Sequence, residues 1–406
     1  MAKTGTLDTR RLRIGFFIPW ITKGRGGTEN VGQMMANAMQ ARGHQAVIFT
    51  FDDAKGASLW PLSDEIELVH LSEAADEPAD GQMALEVAAR NLDLLVGLHM
   101  NATFTRYVRC AWKTGLPIVL SEHIDPRFPD WIGAFPADER QATFSGATLI
   151  HILVEAFRDT FHEDFRDKVR VVPNTIREPV ELADLAADKT ERTILTVSRL
   201  VPRKNVDRLI EAFAQVAREF PDWTLRIVGD GAARPPLAKL AKTLGVGRRV
   251  TFVGEMSDPY PEYQRADLFV TPSLFEGFGL TLCEANAHGV PGIGYAACNG
   301  INEQIVPGEN GLLSRGGEDL GTLAADMRTL MADDALRQKM GARARELFLE
   351  RYANAVVEDG WERVFLEAAA MDEARAKPTQ AEIRAVRLWE TVHGPLHVET
   401  PKAGKY

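Results

Sequence analysis

Glu276 and Glu284 stand eight positions apart in the segment "FEGFGLTLCEANAHGVP". Gly277 and Gly279 between them disfavour a continuous helix, because glycine suits a tight turn and a close approach of the backbone to a ligand. The pattern predicts a helix that begins near Leu280 and ends at the Gly-Val-Pro closing the segment. Both carboxylates then lie near the positive end of a helix dipole, where they can contact a bound ligand.

Two basic residues, Arg199 and Lys204, lie in the segment "SRLVPRKNVDRLIEAF", between a predicted strand and a predicted helix. An arginine fork and a lysine ammonium at that place can neutralise a diphosphate. The alternative is a pair of solvated loop charges, which is the usual role of such residues. A carboxylate pair also suits a glycosidase, although hydrolysis by two carboxylates needs neither of these cations.

A glycine loop, "KGRGGTEN", joins the first predicted strand to a helix and contains Gly26 and Gly27. Such a loop offers free N–H groups to an anion. Asp52 and Asp53 end the next strand, as in a nicotinamide-cofactor site, but Glu29 replaces the third glycine of that motif. Three interpretations stay open: a dinucleotide site, a tight turn, and a loop that lines a donor or acceptor cleft.

Strand-like and helix-like segments alternate through both halves of the chain. Runs such as "RIGFFIP" and "RTILTVSRL" are typical of buried parallel strands, and amphipathic segments such as "VDRLIEAFAQVAREF" separate them. This alternation predicts an α/β protein with two doubly wound, Rossmann-like parallel sheets facing across a cleft. The polar stretch 175–192 marks the boundary. The predicted domains are residues 1–180, residues 181–350, and a helical tail, 351–406, that crosses back to the first domain and ends in a short helix over 378–406.

The bulk properties exclude several classes of protein. The 406 residues carry a net charge of −10, which argues against nucleic-acid binding because that function needs a basic surface. No stretch approaches the roughly 18 apolar residues of a membrane span. The three cysteines, Cys110, Cys283 and Cys298, are far apart and predict reduced thiols in a cytoplasmic protein.

Several motifs occur together in the second half: "SRLVPRKNVDRLIEAF", "LRIVGDGAARPPLAKLAKTLGVGRRVTFVGEM", "ADLFVTPSLFEGFGLTLCEANAHGVP" and "GENGLLS". In this order and spacing they resemble the nucleotide-sugar half of glycosyltransferase family 4, a retaining class with the GT-B fold of two Rossmann-like domains. The resemblance is strong over about 195–315. It is looser in the first half, where "GGTEN" and "SEHIDP" carry it.

The resemblance implies roles for the charged residues singled out above. Glu276 would lie beside the transferred sugar, and Glu284 would accept hydrogen bonds from the ribose hydroxyls. Arg199 and Lys204 would neutralise the diphosphate. The other donor-binding candidates share a close approach of the backbone to phosphate, sugar or base: Gly26, Gly27, Gly254, Met256, Gly277, Phe278, Gly279 and Leu280.

The expected chemistry is departure of a nucleoside diphosphate with retention at the sugar carbon, through a front-side, ion-pair-like transition state. Fixed cations and helix N-termini accelerate such a step because negative charge grows on the leaving group. A metal ion could do the same, but the sequence contains no Asp-x-Asp. We therefore expect no essential metal and no cofactor beyond the donor. No residue is assigned as a covalent nucleophile.

In the first half, His123 of "LSEHIDP" matches the position of the family's histidine that contacts the donor sugar, so the resemblance makes it a catalytic candidate. The alternative is a structural histidine. Glu122 and Asp125 are candidates to contact or deprotonate the acceptor, although Asp125 also suits a turn before proline. Trp131 lies in an aromatic, proline-rich loop over 127–140 that either embraces a glycan or lipid-linked acceptor or caps the core.

Two features complicate the resemblance. The family often has Gly-Pro-x-Glu after the last core strand, whereas this chain reads "CNGINEQIV", which obscures how Asn299, Gly300 and Glu303 line a sugar pocket. A cluster of basic residues on one predicted helix permits either a membrane-surface helix or an ordinary packed one. These residues are Arg106, Arg109 and Lys113.

We expect a retaining hexosyltransferase that moves a monosaccharide from a nucleoside-diphosphate sugar, with UDP favoured, to a hydroxyl of a glycan or lipid-linked glycan. The pathway would be cell-envelope polysaccharide or lipopolysaccharide synthesis, and the place the cytoplasm or the cytoplasmic face of the membrane. The alternatives are a nucleotide-sugar epimerase or hydrolase of the same fold, a nicotinamide-dependent oxidoreductase, and a binding module without turnover.

Overall fold

The computed structural model describes residues 10–24, 26–98, 103–132, 137–316 and 319–374. The chain forms two compact units. The first contains the described residues up to Pro173 together with the last helix from Val357 onward, and the second contains Asn174–Val356. Each unit has one parallel sheet of its own.

The first unit contains a seven-stranded sheet in the order β3-β2-β1-β4-β5-β6-β7. Every pairing in it is parallel. The strands are β1 Arg13–Phe17, β2 Gln45–Phe51, β3 Glu67–Leu71, β4 Leu94–Leu98, β5 Ile118–Glu122, β6 Leu149–Ile152 and β7 Val169–Val171. The helices are α1 Gly27–Ala41, α2 Glu77–Ala88, α3 Thr103–Thr114, α4 Arg127–Trp131, α5 Ala137–Ser145 and α6 Glu163–Arg166, with a 3-10 turn at Glu155–Thr160.

The second unit contains a six-stranded sheet in the order β10-β9-β8-β11-β12-β13, again wholly parallel. The strands are β8 Arg192–Val197, β9 Trp223–Val228, β10 Val250–Gly254, β11 Leu268–Thr271, β12 Gly292–Tyr295 and β13 Gly311–Ser314. The helices are α7 Val206–Val216, α8 Arg234–Thr243, α9 Tyr260–Arg265, α10 Leu280–Ala287, α11 Ile301–Gln304, α12 Leu320–Ala332 and α13 Asp334–Arg351, with a 3-10 turn at Pro202–Lys204. Helix α14, Asn354–Ala374, leads from the second unit into the first.

The central strands are buried because their residues are apolar on both faces. All five residues of β4 are buried, as its uninterrupted apolar run predicts, and all four of β6 are buried although one of them is His151. In each sheet the chain starts at an inner strand, β1 or β8, and returns to that strand's other side at β4 or β11. The strand order therefore reverses there, and the carboxyl ends around that point are where such sheets bind ligands.

The predicted α/β class with two parallel sheets is confirmed, but two edge strands were missed. The sequence "ELVHL" of β3 alternates partly polar and apolar residues, and β13 is only "GLLS". Edge strands pair on one side only, so their burial and apolar content are lower and their signal is weaker. The short helix predicted over 378–406 lies outside the described residues. Within the described ranges, no helix is both long and apolar enough to span a bilayer.

Candidate active site

The loop between β11 and α10 turns sharply at Gly279, directly ahead of the helix that begins at Leu280, as the sequence predicts. Gly279 has a φ of +88°, and a Cβ atom placed there would lie 2.5 Å from the Ile301 side chain. Only glycine fits such a position without strain. The amides of Leu282 and Cys283 donate to the Gly279 carbonyl at 3.0 and 3.1 Å, which closes the first turn.

A buried side chain holds the carbonyl side of this loop. The Gln304 amide donates to the carbonyl oxygens of Phe278 at 2.5 Å, Gly300 at 3.2 Å and Gly279 at 3.3 Å. The backbone N–H groups of residues 277–281 make no hydrogen bond to another described residue. Five amide donors at a helix N-terminus form a surface suited to phosphate or sugar oxygens.

Glu276 pairs with Lys204, and both side chains are largely buried, with exposed fractions of 11% and 12%. Burial opposes ionisation of Glu276, but the charges of Lys204 and Arg203 outweigh it and hold the pKa of Glu276 below its usual value. The carboxylate is therefore ionised at neutral pH. Arg203 also donates to the Phe275 carbonyl at 3.3 Å, which ties the loop after β8 to the loop before α10.

Arg199 lies in the loop after β8, which is held by the glycines at the end of β9. Gly229 has a φ of +118°, and a Cβ atom there would lie 1.9 Å from the Ser198 carbonyl oxygen. The Leu200 amide donates to the Asp230 carbonyl at 2.9 Å. The Arg199 side chain is exposed and forms no ion pair with any residue that the structure describes. Its charge is available to a diphosphate held beside the loop.

Glu284, one turn inside α10, differs from Glu276 in its electrostatic environment. It accepts a hydrogen bond from the Tyr263 hydroxyl at 2.6 Å. Burial raises the pKa of Glu284 to about 7, and the Tyr263 hydrogen bond and Arg177 counteract only part of this effect. The two glutamates are thus an ionised group beside cations and a group that titrates near neutral pH.

Tyr263 is held in place by His288 at the end of α10. The two rings stack with centroids 5.1 Å apart, and the His288 Nδ1 donates to the Glu284 carbonyl at 2.6 Å. Sequence reasoning missed both Tyr263 and Arg203. A signal was available for Arg203, which adjoins Lys204 in a quoted motif, whereas Tyr263 lies between two motifs, before the strand that leads to the loop.

The strand ends of the second unit also position the candidates for contact with the base. Gly254, the last residue of β10, has a φ of +93°, and its carbonyl accepts from the Gly229 amide at 2.7 Å. Met256 is half-buried against the core.

The segment "CNGINEQIV", which lacks the family's proline, contains Gly300. This glycine is packed tightly, since a Cβ there would lie 2.9 Å from the Phe278 carbonyl oxygen. Asn299 and Glu303 are half-buried.

Comparisons with known proteins agree with this arrangement. The model of the family described as Glycosyl transferases group 1 matches residues 178–347, and that of Glycosyltransferase Family 4 matches residues 25–178. The chain belongs to glycosyltransferase family 4.

Individual relatives of this family 4 protein differ in how much of the chain they match. An exopolysaccharide phosphotransferase of Streptomyces coelicolor is 35% identical over 232 residues, which are 57% of this chain and 24% of that protein. A glycosyltransferase of Haemophilus influenzae without an assigned reaction is 24% identical over 366 residues, 87% of this chain and 99% of that one. The structure of Anabaena HepE with UDP and glucose shares the fold, with a TM-score of 0.72 and 20% identity, over 87% of this chain and 99% of that chain.

In the first unit, two acceptor candidates of the family 4 protein are bound internally. Both oxygens of Glu122 accept from Arg140 at 2.6 Å, and neither residue is exposed to solvent by more than 4% of its side chain. Asp125 accepts from the side chain and amide of Arg127 and is wholly buried. These contacts favour a structural role for Glu122 and the turn-holding alternative for Asp125. The backbone of Trp131 ends α4, and its side chain lies outside the described residues.

The glycine loop of the first unit leads into α1, with Gly26 as the residue before the helix and Gly27 as its first residue. The Glu29 side chain packs against Gly26, where a Cβ atom would lie 2.2 Å from the carboxylate. Asp52 accepts from the amides of Ala54 at 3.0 Å and Gly56 at 2.8 Å. Because Asp52 caps its own turn, the geometry disfavours a role for it in binding the ribose of a nicotinamide cofactor.

Two of the three basic residues predicted on one face of α3 are bound internally. The Asp80 carboxylate accepts from Arg106 at 2.7 Å and from Arg109 at 2.6 Å, and the Arg106 side chain is buried. Tyr107 is buried as well and stacks on Phe17 with ring centroids 4.4 Å apart. These contacts favour the ordinary packed helix for Arg106 and Arg109, whereas Lys113 is exposed, and contact with a membrane stays a prediction. Periodicity shows which residues share a face but not which element covers that face.

Proposed function

We propose that this protein is a retaining glycosyltransferase that moves a hexose from a nucleoside-diphosphate sugar to a hydroxyl of a glycan or lipid-linked glycan of the cell envelope. The observation that carries the proposal is the grouping, at the strand ends of the second unit, of an exposed arginine, a lysine–glutamate pair and five amides that have no hydrogen-bond partner among the described residues. In this proposal the second unit binds the donor and the first unit binds the acceptor.

The reaction needs stabilisation of the leaving group. The bond between the anomeric carbon and the diphosphate oxygen breaks with its electron pair on the diphosphate, and the acceptor oxygen bonds to the same face of the sugar. The acceptor's proton passes to the departing phosphate. Arg199, Lys204 and the amides of residues 277–281 would hold the growing negative charge, which is the largest contribution that a preorganised site can make. Ionised Glu276 would orient the sugar, and Glu284 the ribose.

The relatives support the choice of donor and pathway. HepE was crystallised with UDP and glucose, and the Streptomyces relative is described as an exopolysaccharide enzyme. Other relatives include a poly(glycerol-phosphate) alpha-glucosyltransferase and a lipopolysaccharide core glycosyltransferase. We infer a UDP-sugar donor and a reaction at or near the cytoplasmic face of the membrane. We also propose that no metal is required, so that activity in EDTA should equal activity in Mg²⁺.

The first test is thermal stabilisation by UDP, GDP, ADP and NAD, on the native sequence and on Glu284→Ala. A nucleotide at about 100 times its dissociation constant adds roughly 2.7 kcal/mol of stability. The proposal expects a shift with one diphosphate nucleotide that fades in the variant. A shift with NAD alone, unchanged by the substitution, would refute it.

Turnover then separates the transferase from its nearest alternative. A sugar nucleotide that is consumed only when a glycan acceptor is present indicates transfer. Equal consumption without any acceptor would indicate an epimerase or a hydrolase of the same fold. The anomeric configuration of the product, read by proton NMR coupling constants, tests retention.

A further inference from the structure

A chain of polar side chains crosses three neighbouring strands of the first unit at their carboxyl ends. The His123 Nε2 lies 2.7 Å from the Ser121 Oγ, which lies 2.6 Å from the His151 Nδ1. The His151 Nε2 lies 2.8 Å from the Val172 carbonyl oxygen. Ser121 and His151 are paired in register on β5 and β6, and Val172 follows β7.

The direction of every hydrogen bond in this chain follows from its inner end. A carbonyl oxygen only accepts, so the His151 Nε2 carries a hydrogen and donates it to Val172. In a neutral His151 ring the Nδ1 then holds the lone pair, so the Ser121 hydroxyl donates to it. The Ser121 oxygen in turn accepts, and the His123 Nε2 must be the donor.

The direction is stable because His151 stays neutral. Its side chain is only 2% exposed, and burial lowers the pKa of His151 to about 4, an effect that its hydrogen bond to Val172 only partly opposes. A doubly protonated His151 would donate from both nitrogens and would reverse the Ser121 hydroxyl. Above about pH 5 that form is scarce, so the chain keeps one polarity.

Ser121 and His151 are buried polar residues on inner strands of the first unit's sheet. Leu120 and Ile150, the preceding positions of the two strands, are apolar and buried, whereas Glu122 after Ser121 is a buried carboxylate paired with Arg140. Two buried polar side chains in a sheet cost free energy unless they are hydrogen-bonded, and here Ser121 and His151 bond to each other, to His123 and to the Val172 carbonyl. We call the hydrogen-bonded series His123–Ser121–His151–Val172 the relay. It ends at His123, which is half-buried, whereas the other three residues of the relay are buried.

We propose that Ser121 and His151 are positioning residues that hold the His123 ring in one orientation and keep its hydrogen on Nε2. A neutral His123 then has its lone pair on Nδ1, an atom that the ligand-free fold buries. This role deepens the proposed glycosyl transfer and rests on it, because the relay matters to catalysis only if His123 contacts a substrate.

The test reads the hydrogen itself. Protein labelled with ¹⁵N at its nine histidines is examined without substrate by long-range ¹H–¹⁵N NMR, which distinguishes the two ring nitrogens. The expected result is an Nε2–H form for both His123 and His151, with a His123 Hε2 proton that exchanges slowly with solvent. An Nδ1–H form of either ring in the native sequence would overturn the proposal.

Variants link the relay to activity. Ser121→Ala should lose the slowly exchanging Hε2 signal of His123 and lower kcat about tenfold, while the KM for the sugar nucleotide changes little. Ser121→Thr restores the hydroxyl, so it should recover both the Hε2 signal and the native kcat. The control is Ser145→Ala, since Ser145 is also buried in the first unit and donates to the Ala142 carbonyl at 2.6 Å, but has no contact with the relay. It should retain the signal and the native kcat.

The two readouts separate this proposal from the proposed function. A native protein with the expected NMR signals but no transferase activity would refute the function and with it the catalytic role of the relay. Activity together with an unchanged Hε2 signal or unchanged kcat in Ser121→Ala would refute the relay alone. If Ser121→Ala fails to fold, the ring forms in the native protein still decide the polarity.

Discussion

Replacement of Glu284 by glutamine is expected to stabilise the ligand-free protein while it weakens nucleotide binding. Burial raises the pKa of Glu284 to about 7, whereas an unperturbed glutamate has a pKa of about 4.3. Between these values the folded protein binds a proton at Glu284 that the unfolded chain has released. The free energy of unfolding therefore falls as pH rises from about 4.3 to about 7.

The size of the effect follows from the pKa difference. Each pKa unit corresponds to about 1.36 kcal/mol, so the ionised carboxylate costs the folded state up to about 3–4 kcal/mol above pH 7. Solvent around the half-buried Glu284 side chain reduces this to about 2–3 kcal/mol. Glutamine removes the charge, and its amide oxygen still accepts from the Tyr263 hydroxyl.

The assay is the melting temperature of the ligand-free protein at pH 5 and at pH 8.5. For a unit of this size about 1 kcal/mol shifts the melting temperature by roughly 2–4 °C. Glu284→Gln should therefore melt about 4–12 °C higher than the native sequence at pH 8.5 and nearly the same at pH 5. An equal shift at the two pH values would refute the reasoning, because the gain would not come from the titrating charge.

Glu276→Gln is the matched control, because the pKa of Glu276 is held low by Lys204 and Arg203. The stability that this carboxylate contributes is present above its unfolded pKa and is lost as pH falls through the folded one. Its neutralisation leaves two cations without their counter-charge, so this variant should melt lower than the native sequence at pH 8.5. The same direction of shift in both variants would contradict the opposite environments assigned to the two glutamates.

Three further predictions concern neighbouring residues. Tyr263→Phe removes a hydrogen bond that lowers the carboxylate's pKa, so the pH at which UDP binding is half-maximal, measured by calorimetry, should rise. Arg199→Ala should weaken UDP binding at least tenfold without a change in melting temperature, because Arg199 is exposed. Lys204→Ala should weaken UDP binding and also destabilise the protein by about 3 kcal/mol, since it leaves Glu276 buried without its cation. Gly279→Ala should cost about 1–3 kcal/mol in urea unfolding, because its φ is positive and Ile301 occupies the space of a methyl group.

Much of the fold was predictable because local pattern and global architecture agree. Uninterrupted apolar runs predicted the inner strands, and the glycines around Glu276 predicted a loop and a helix start at Leu280. The sequence could not show which side chains fill the strand ends. Glu122 and Asp125 look alike as candidates, and only the positions of Arg140 and Arg127 show that both carboxylates are internally bound.

By itself, the sequence determined the class of fold, the family, and the types and order of the groups that can hold a nucleotide-sugar. Those properties depend on periodicity and on short motifs, whose residues are close in the chain. The tertiary structure alone decided the ionisation of Glu284, the partner of Glu276, and the polarity of the relay from His151 to His123. Each of these depends on burial and on contacts between residues up to 72 positions apart, because a charge responds to whatever lies within a few ångströms of it and not to its neighbours in sequence.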